Sequence, residues 1–170
     1  SKNFDYLITH RPPNISLSKL YIFKLKNIKN DSNRDFQILG GNLLSLINFY
    51  KEHNVIIYPD GVNSSKLSFV NSTSEILLGL LLASYKFTKY FSIKDTKKTS
   101  KKTKIKIYSA QYSRLEKNYE TVKAIHEGVT MTRNLVTEPP NVMTPPELAK
   151  NAASLEEIGV KVTILGEKEM

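Results

Sequence analysis

Pro139 and Pro140 divide the last third of this chain into two helices that cannot be one. Each proline lacks an N–H and its ring collides with the preceding turn, so a helix arriving from the N-terminal side must stop. Glu138, placed before a proline, is pushed toward an extended conformation. Thr144 then offers an N-cap, with Pro145 at the first helical position and Glu147 as its capping-box partner. The pattern predicts a hinge at Pro139, Pro140 and Asn141 between two bodies.

The flanks agree with that reading. Asn118 to Val136 reads as one long connector helix, with Val122, Ile125, Val129 and Val136 on a single stripe. After the bend, a helix from Pro145 to Ile158 is expected to bury Leu148, Ala152 and Leu155. Gly159 ends it, as glycine at C′ commonly does. A strand from Val160 to Leu165 is expected to follow.

Upstream the chain alternates between the two periodicities. Phe4 to Thr9 and Leu20 to Leu25 read as strands, separated by the stop Arg11-Pro-Pro-Asn14. Asn27 to Asp35 reads as a loop. Gly40-Gly41-Asn42 is expected to open a helix whose apolar face is Leu43, Leu46, Ile47 and Tyr50. Val55 to Tyr58, apolar without alternation, suits a strand covered on both faces. Pro59-Asp60-Gly61 signals a turn, and Lys66 to Val70 a short edge strand. Ser72 with Glu75 forms an expected capping box. The helix it would open is apolar nearly all round from Ile76 to Phe87, which places it at the centre of a domain, with Gly79 permitting close packing. Ile105 to Tyr108 reads as a further strand with lysine outward.

The stretch Arg133-Asn-Leu-Val-Thr-Glu-Pro-Pro-Asn-Val-Met-Thr-Pro-Pro-Glu-Leu-Ala149 resembles the junction of the leucyl (cytosol) aminopeptidases, two-metal peptidases with a variable N-terminal domain. Leu78-Gly-Leu-Leu-Leu-Ala-Ser-Tyr-Lys-Phe-Thr-Lys-Tyr90 is similar to that family's N-domain helix, and Val160-Lys-Val-Thr-Ile-Leu165 to its first catalytic-domain strand. Residues before about Leu39 match the family poorly. The resemblance implies an α/β fold, a mixed sheet flanked by helices and similar to a macro domain. It also implies three parts: an N-terminal domain over 1–117, a connector helix and hinge over 118–143, and the start of a catalytic α/β domain over 144–170. The parent enzyme would be a cytoplasmic hexamer that releases N-terminal residues from peptides with two divalent ions, Mn or Zn.

The chemistry-bearing residues of this chain do not form that metal centre. Two-metal hydrolysis needs carboxylates converging on ions about 3.5–4 Å apart, whereas the acidic residues here are scattered. The family's glycine-lysine-glycine, aspartate-serine-glycine-glycine and asparagine-threonine-aspartate-alanine-glutamate signatures are absent, and the resemblance would place them after Met170. No catalytic, metal-binding or cofactor-binding residue is therefore assigned. His10, His53 and His126 stand far apart, without the spacing of a paired-histidine motif. Neither a G-x-S-x-G elbow nor a glycine-rich phosphate loop occurs, so an ADP-ribose site of the macro-domain kind is not expected. Cysteine is absent, which excludes disulfides and thiolate metal sites.

The net charge of +9 invites a nucleic-acid reading. Lys94 to Lys106 holds seven lysines and one aspartate, a local +6, so nine minus six leaves +3 for everything else. Phosphate contacts through Lys97, Lys98, Lys101 and Lys102 are the rival function, a free-standing nucleic-acid-binding module. The run has no arginine to read bases and no aromatic residue within it to stack on them, so a solvated loop is the expectation. No secretory signal opens the chain, and its longest apolar run, Ile76 to Ala83, is far below the roughly 20 residues that span a bilayer. The expected protein is thus cytoplasmic and free of the membrane, inactive alone. It would serve as scaffold and assembly surface for the catalytic domain of its own full-length chain, with a truncated relative acting as an interaction subunit as a third possibility.

Overall fold

The computed structural model describes residues 4–25, 32–62, 64–92 and 103–169. The chain divides into two compact units, Ser1–Glu127 and Gly128–Met170. The first is mixed α/β, with small sheets flanked by helices, as expected.

It begins with a hairpin. Strands β1 (Phe4–His10) and β2 (Lys19–Leu25) pair antiparallel, with Tyr6 opposite Phe23 and Leu7 opposite Ile22. Because side chains alternate faces along a strand, this register sends Tyr6 and Phe23 inward against a core of Phe36, Leu39 and Ile76. It turns Leu7 and Ile22 outward, 63% and 53% exposed. Arg11 and Asn14 take positive φ in the connecting loop, and the Arg11 N–H donates to the Ser18 carbonyl at 3.0 Å.

Helix α1 spans Asn33–Phe49. It starts seven residues before the glycine pair expected to open it, because a reciprocal cap precedes them. The Ser32 hydroxyl accepts from the Asp35 N–H at 3.3 Å, while the Asp35 carboxylate accepts from the Ser32 N–H at 3.2 Å. The glycines serve packing instead. A Cβ on Gly40 would lie 2.0 Å from the Ile76 carbonyl oxygen.

That carbonyl belongs to α2 (Phe69–Ser84), the central helix of the unit. Its apolar circumference is buried over Ile76, Leu77, Leu78 and Leu80, as an all-round apolar helix requires. Gly79 reciprocates Gly40, since a Cβ there would lie 1.9 Å from the Gln37 carbonyl oxygen. The two backbones thus pass in contact, and Gln37 Nε2 donates to Glu75 across the crossing at 2.7 Å. The cap is Ser68, whose hydroxyl accepts from the Asn71 N–H at 3.2 Å, and not Ser72. Ser72 is wholly buried and donates back to the Ser68 carbonyl at 2.7 Å. The early start also takes Phe69 and Val70 into the helix, so no edge strand forms at 66–70.

Strands β3 (Asn54–Ile57) and β4 (Lys104–Ile107) run parallel, with Ile56 opposite Lys106, and α2 lies in the crossover between them. Among the described residues the strands therefore form two separate pairs. Only one face of the parallel pair is covered. Ile107 packs with Leu77, Leu78 and Val122, whereas Ile56 is 55% exposed, so β3 is not covered on both faces as its unbroken apolar run suggested. Lys104 and Lys106 point outward, as read from the sequence.

Helix α3 spans Tyr112–Thr137, one turn and a half longer at its start than expected. Its buried residues are Leu115 and Val122, a spacing of seven that keeps one face on the core. The expected stripe shares that face at Val122, and its other members are less covered. Ile125 is 46% and Val136 82% exposed, and Val129 is half-buried.

In the second unit, α3 ends two residues before Pro139, as the proline pair demands. Helix α4 (Pro145–Ala153) passes into a 3₁₀ turn, Ser154–Ile158. Thr144 is the N-cap but makes no side-chain cap bond, so the expected box with Glu147 does not close. Two prolines at the first helical positions leave few free N–H groups there for it to satisfy. Gly159 ends the turn with φ 88°, a left-handed value that suits glycine. None of Leu148, Ala152 and Leu155 is buried, and Leu148 is 50% exposed. Residues 160–165 form no strand, and among the described residues the paired strands are β1 with β2 and β3 with β4.

Candidate functional site

Pro139, Pro140 and Asn141 lie in a compact turn between α3 and α4. The Pro139 carbonyl accepts from both the Val142 and Met143 N–H groups at 2.9 Å, and the Thr144 N–H donates to the Val142 carbonyl at 3.0 Å. The turn is therefore fixed by two locked φ angles and three backbone bonds, without side-chain help from Asn141 among the bonds described. Lys97, Lys98, Lys101 and Lys102 lie outside the described residues.

Two polar clusters went unrecognised in the sequence. The first follows the carboxyl ends of β3 and β4, where ligands of open α/β sheets tend to sit. Asp60 accepts from the Ser109 hydroxyl and, at 2.8 Å, from the Ala110 N–H. Those bonds hold its carboxyl below the ordinary carboxylate value, the Ala110 N–H contributing most. Tyr58, hydrogen-bonded to the same carboxylate, has its phenol pushed upward. Both Asp60 oxygens are thus spent on fastening the turn after β3 to the turn after β4. A shallow apolar depression beside them is lined by Lys106, Ile107, Tyr108, Ser109 and Tyr112. The sequence signal was Asp60 directly after a strand, read only as part of a turn.

The second cluster joins the hairpin to the end of α1. Glu52 accepts from Lys19 Nζ at 2.6 Å and from the Tyr21 hydroxyl at 2.8 Å. Lys19 is the main cause of the lowered Glu52 pKa. Burial first, then Glu52, raises that of Tyr21. Tyr6 and Tyr50 meet hydroxyl to hydroxyl at 3.2 Å nearby. Both bonds to Glu52 converge on Oε1, and these residues tie β1, β2 and α1 together.

Among the described residues no three His, Asp or Glu side chains come together in a way that could hold a metal ion. His10 and His53 are exposed on different elements, and His126 stands on α3 with a buried Nδ1 lacking a hydrogen-bond partner. The donor set therefore does not fit a two-ion centre. No helix among these residues is long and apolar enough to cross a membrane.

Comparison with known proteins gives this scaffold its class, that of the aminopeptidase N-terminal regions. A probable cytosol aminopeptidase of Agrobacterium fabrum is 36% identical over 174 residues, covering all of this chain and 34% of that protein. The corresponding protein of Rhizobium leguminosarum bv. trifolii is 31% identical over 172 residues, again covering the whole chain and 34% of its relative. That of Brucella suis is 40% identical over 102 residues, 59% of the chain and 20% of the relative. Among solved structures, a tomato leucine aminopeptidase mutant superimposes with a TM-score of 0.63 at 22% identity, over 88% of this chain and 30% of that one. The bottromycin maturation enzyme BotP also gives 0.63, at 11% identity over 92% and 32%. At such identities these two establish the fold alone. No family model matches the chain. The chain belongs to the leucyl (cytosol) aminopeptidase family, and it spans about a third of the length of the curated relatives it matches, their N-terminal part.

Proposed function

We propose that these residues are the non-catalytic N-terminal region of a leucyl-aminopeptidase-like metallopeptidase, acting as scaffold and assembly surface. The carrying observation is the alignment. The chain matches cytosol aminopeptidases along its full length yet accounts for only 34% of them. The absence of any metal-holding cluster among the described residues supports the same division of labour. On this reading the parent protein releases N-terminal residues from peptides in the cytoplasm, using two divalent ions, Mn or Zn, held by residues of its catalytic domain. It assembles as a hexamer, and Pro139, Pro140 and Asn141 set the direction in which the chain enters that domain.

The test compares two purified proteins, residues 1–170 and a parent chain in which they are followed by a catalytic domain. Leucine release from a leucyl peptide is measured with Mn or Zn added. Activity in the parent alone is the expected result. Metal-dependent turnover by residues 1–170 would overturn the assignment of a non-catalytic role.

A further inference from the structure

Of the five aspartates in the chain, Asp60 alone is followed by glycine, and no asparagine is. Such a pair is chemically unstable in water. The nitrogen of the following residue can attack Cγ of the aspartate, and glycine leaves that nitrogen unshielded by any side chain and its backbone free to turn. Asp60 and Gly61 are the two central residues of a turn that the Val62 N–H closes on the Pro59 carbonyl at 2.8 Å. Gly61 is exposed, and beyond its chain neighbours no described atom lies within 4 Å of where its Cβ would stand. Nothing there shuts out water. What opposes reaction is the placement of the carboxyl. The Ser109 hydroxyl and the Ala110 N–H, the latter at 2.8 Å, draw it toward the turn after β4, whereas ring closure needs it folded onto its own following peptide. The Ala110 N–H and then the Ser109 hydroxyl also lower its pKa, and the ionised form has no oxygen ready to leave as water.

We propose that Asp60–Gly61 is a modification site, which converts to isoaspartate through a cyclic imide at a rate set by the bonds from Ser109 and Ala110. The Gly61 nitrogen gives up its proton and bonds to Cγ of the protonated Asp60 carboxyl. The Cγ–O bond breaks, a water leaves and the imide closes. Water then adds back. Opening at Cγ restores aspartate, and opening at the former main-chain carbonyl leaves the chain running through Cγ with a free carboxylate on Cα. The water lost is regained, so the mass is unchanged and no oxidant or co-reactant is needed. The product carries an extra methylene in its backbone, and its carboxylate stands nearer the main chain. It no longer meets Ser109 and Ala110 from the same place, and the fastening between the two turns is undone. The site is therefore silent while the first unit is closed. It records each local opening in which the turn after β3 comes away from the turn after β4.

Residues 1–170 are incubated at neutral pH, in buffer and in denaturing urea. Isoaspartate at position 60 is read by peptide mapping, in which the two isomers elute apart at equal mass. Expected is conversion in urea and conversion at least about tenfold slower in buffer, the factor that one hydrogen bond to a charged group supplies. Ser109→Ala, shown to be folded by circular dichroism, should convert in buffer at least about tenfold faster than the unsubstituted protein. Gly61→Ala should convert slowly in both solvents. It should also fold normally, since the position is open and Gly61 is not among the residues with positive φ. No isoaspartate at position 60 in urea overturns the site. Equal rates in buffer and urea overturn the control exerted by Ser109 and Ala110, as does an unchanged rate in folded Ser109→Ala. An unchanged rate in Gly61→Ala overturns attack by the Gly61 nitrogen. The comparison of buffer with urea needs no variant, so it decides the matter even where Ser109→Ala fails to fold.

Discussion

Replacing Gly40 by alanine should be among the most damaging small changes in the first unit, although it adds one methyl group to a helix. An added Cβ would stand 2.0 Å from the Ile76 carbonyl oxygen and 2.7 Å from the Leu80 nitrogen. Both are backbone atoms of α2, so no rotamer change relieves the clash. Ordinary contact begins near 3.4 Å, so 3.4 less 2.0 leaves α1 and α2 to part by about 1.4 Å at this point. A gap of 0.5–1 Å already forfeits roughly a quarter to a half of the dispersion well of the atoms facing it. The atoms facing this crossing include Phe36, Leu39 and Ile76, the centre of the core. Overpacking of this kind costs about 1–3 kcal/mol and at times more, while alanine returns about 1 kcal/mol of helix propensity. The net loss should therefore be about 2 kcal/mol, lowering the melting temperature by roughly 8 °C at about 4 °C per kcal/mol. Gly41→Ala is the control. Its Cβ would meet only the Ala83 Cβ at 3.7 Å, so the propensity gain survives and the variant should melt at or above the unsubstituted protein. Thermal unfolding followed by circular dichroism on both variants suffices. Equal melting of the two would show that α1 and α2 do not cross backbone to backbone.

Asp60→Asn should destabilise the protein at neutral pH and cease to matter in acid. The folded state holds this carboxyl below its ordinary value, so its contribution is complete above that value, near pH 4, and fades as pH falls through the lower folded one. Melting curves from pH 7 to 3 should therefore converge for the two proteins. Val122→Asp buries an unpaired charge where a 5% exposed methyl pair now packs, and should leave the first unit largely unfolded. Val136→Asp, at an 82% exposed position, should stay within about 0.5 kcal/mol of the parent sequence. Val136 stands fourteen positions after Val122 on nearly the same face, so urea midpoints of that pair show how far along α3 the buried face extends. Lys19→Met removes the ion pair to Glu52, whose partners are 30% and 23% exposed, and should cost under about 1 kcal/mol, read as a shift in the urea midpoint.

What the sequence made legible were features set by local chemistry. The hairpin strands, the central apolar helix with Gly79 at a close approach, the stop before Pro139 and the left-handed Gly159 all depend on residues within one turn or strand of themselves. The misreadings share a different origin. Gly40 and Gly41 look like a helix opening because glycine breaks helices, but here Gly40 answers the backbone of Ile76, 36 positions further along the chain. Ser72 looked like a cap because Glu75 stands three residues on. Glu75 instead takes the Gln37 amide, a partner 38 positions away. On α3 the valines obey helical spacing and Leu115 stands seven before Val122 on the same face, yet spacing alone does not tell how far along the helix that face is covered.

The polar clusters were hidden for a related reason: each is assembled from elements far apart in the chain. Asp60 meets Ser109 and Ala110 across 49 and 50 positions, and Glu52 meets Lys19 and Tyr21 across 33 and 31. Each carboxylate joins one element to another, Asp60 through both oxygens and Glu52 through Oε1, which is what a scaffold needs. A reacting carboxylate must keep an oxygen within reach of substrate or water. Asp60, with both oxygens bound to the turn after β4, does not meet that requirement and instead holds the first unit together.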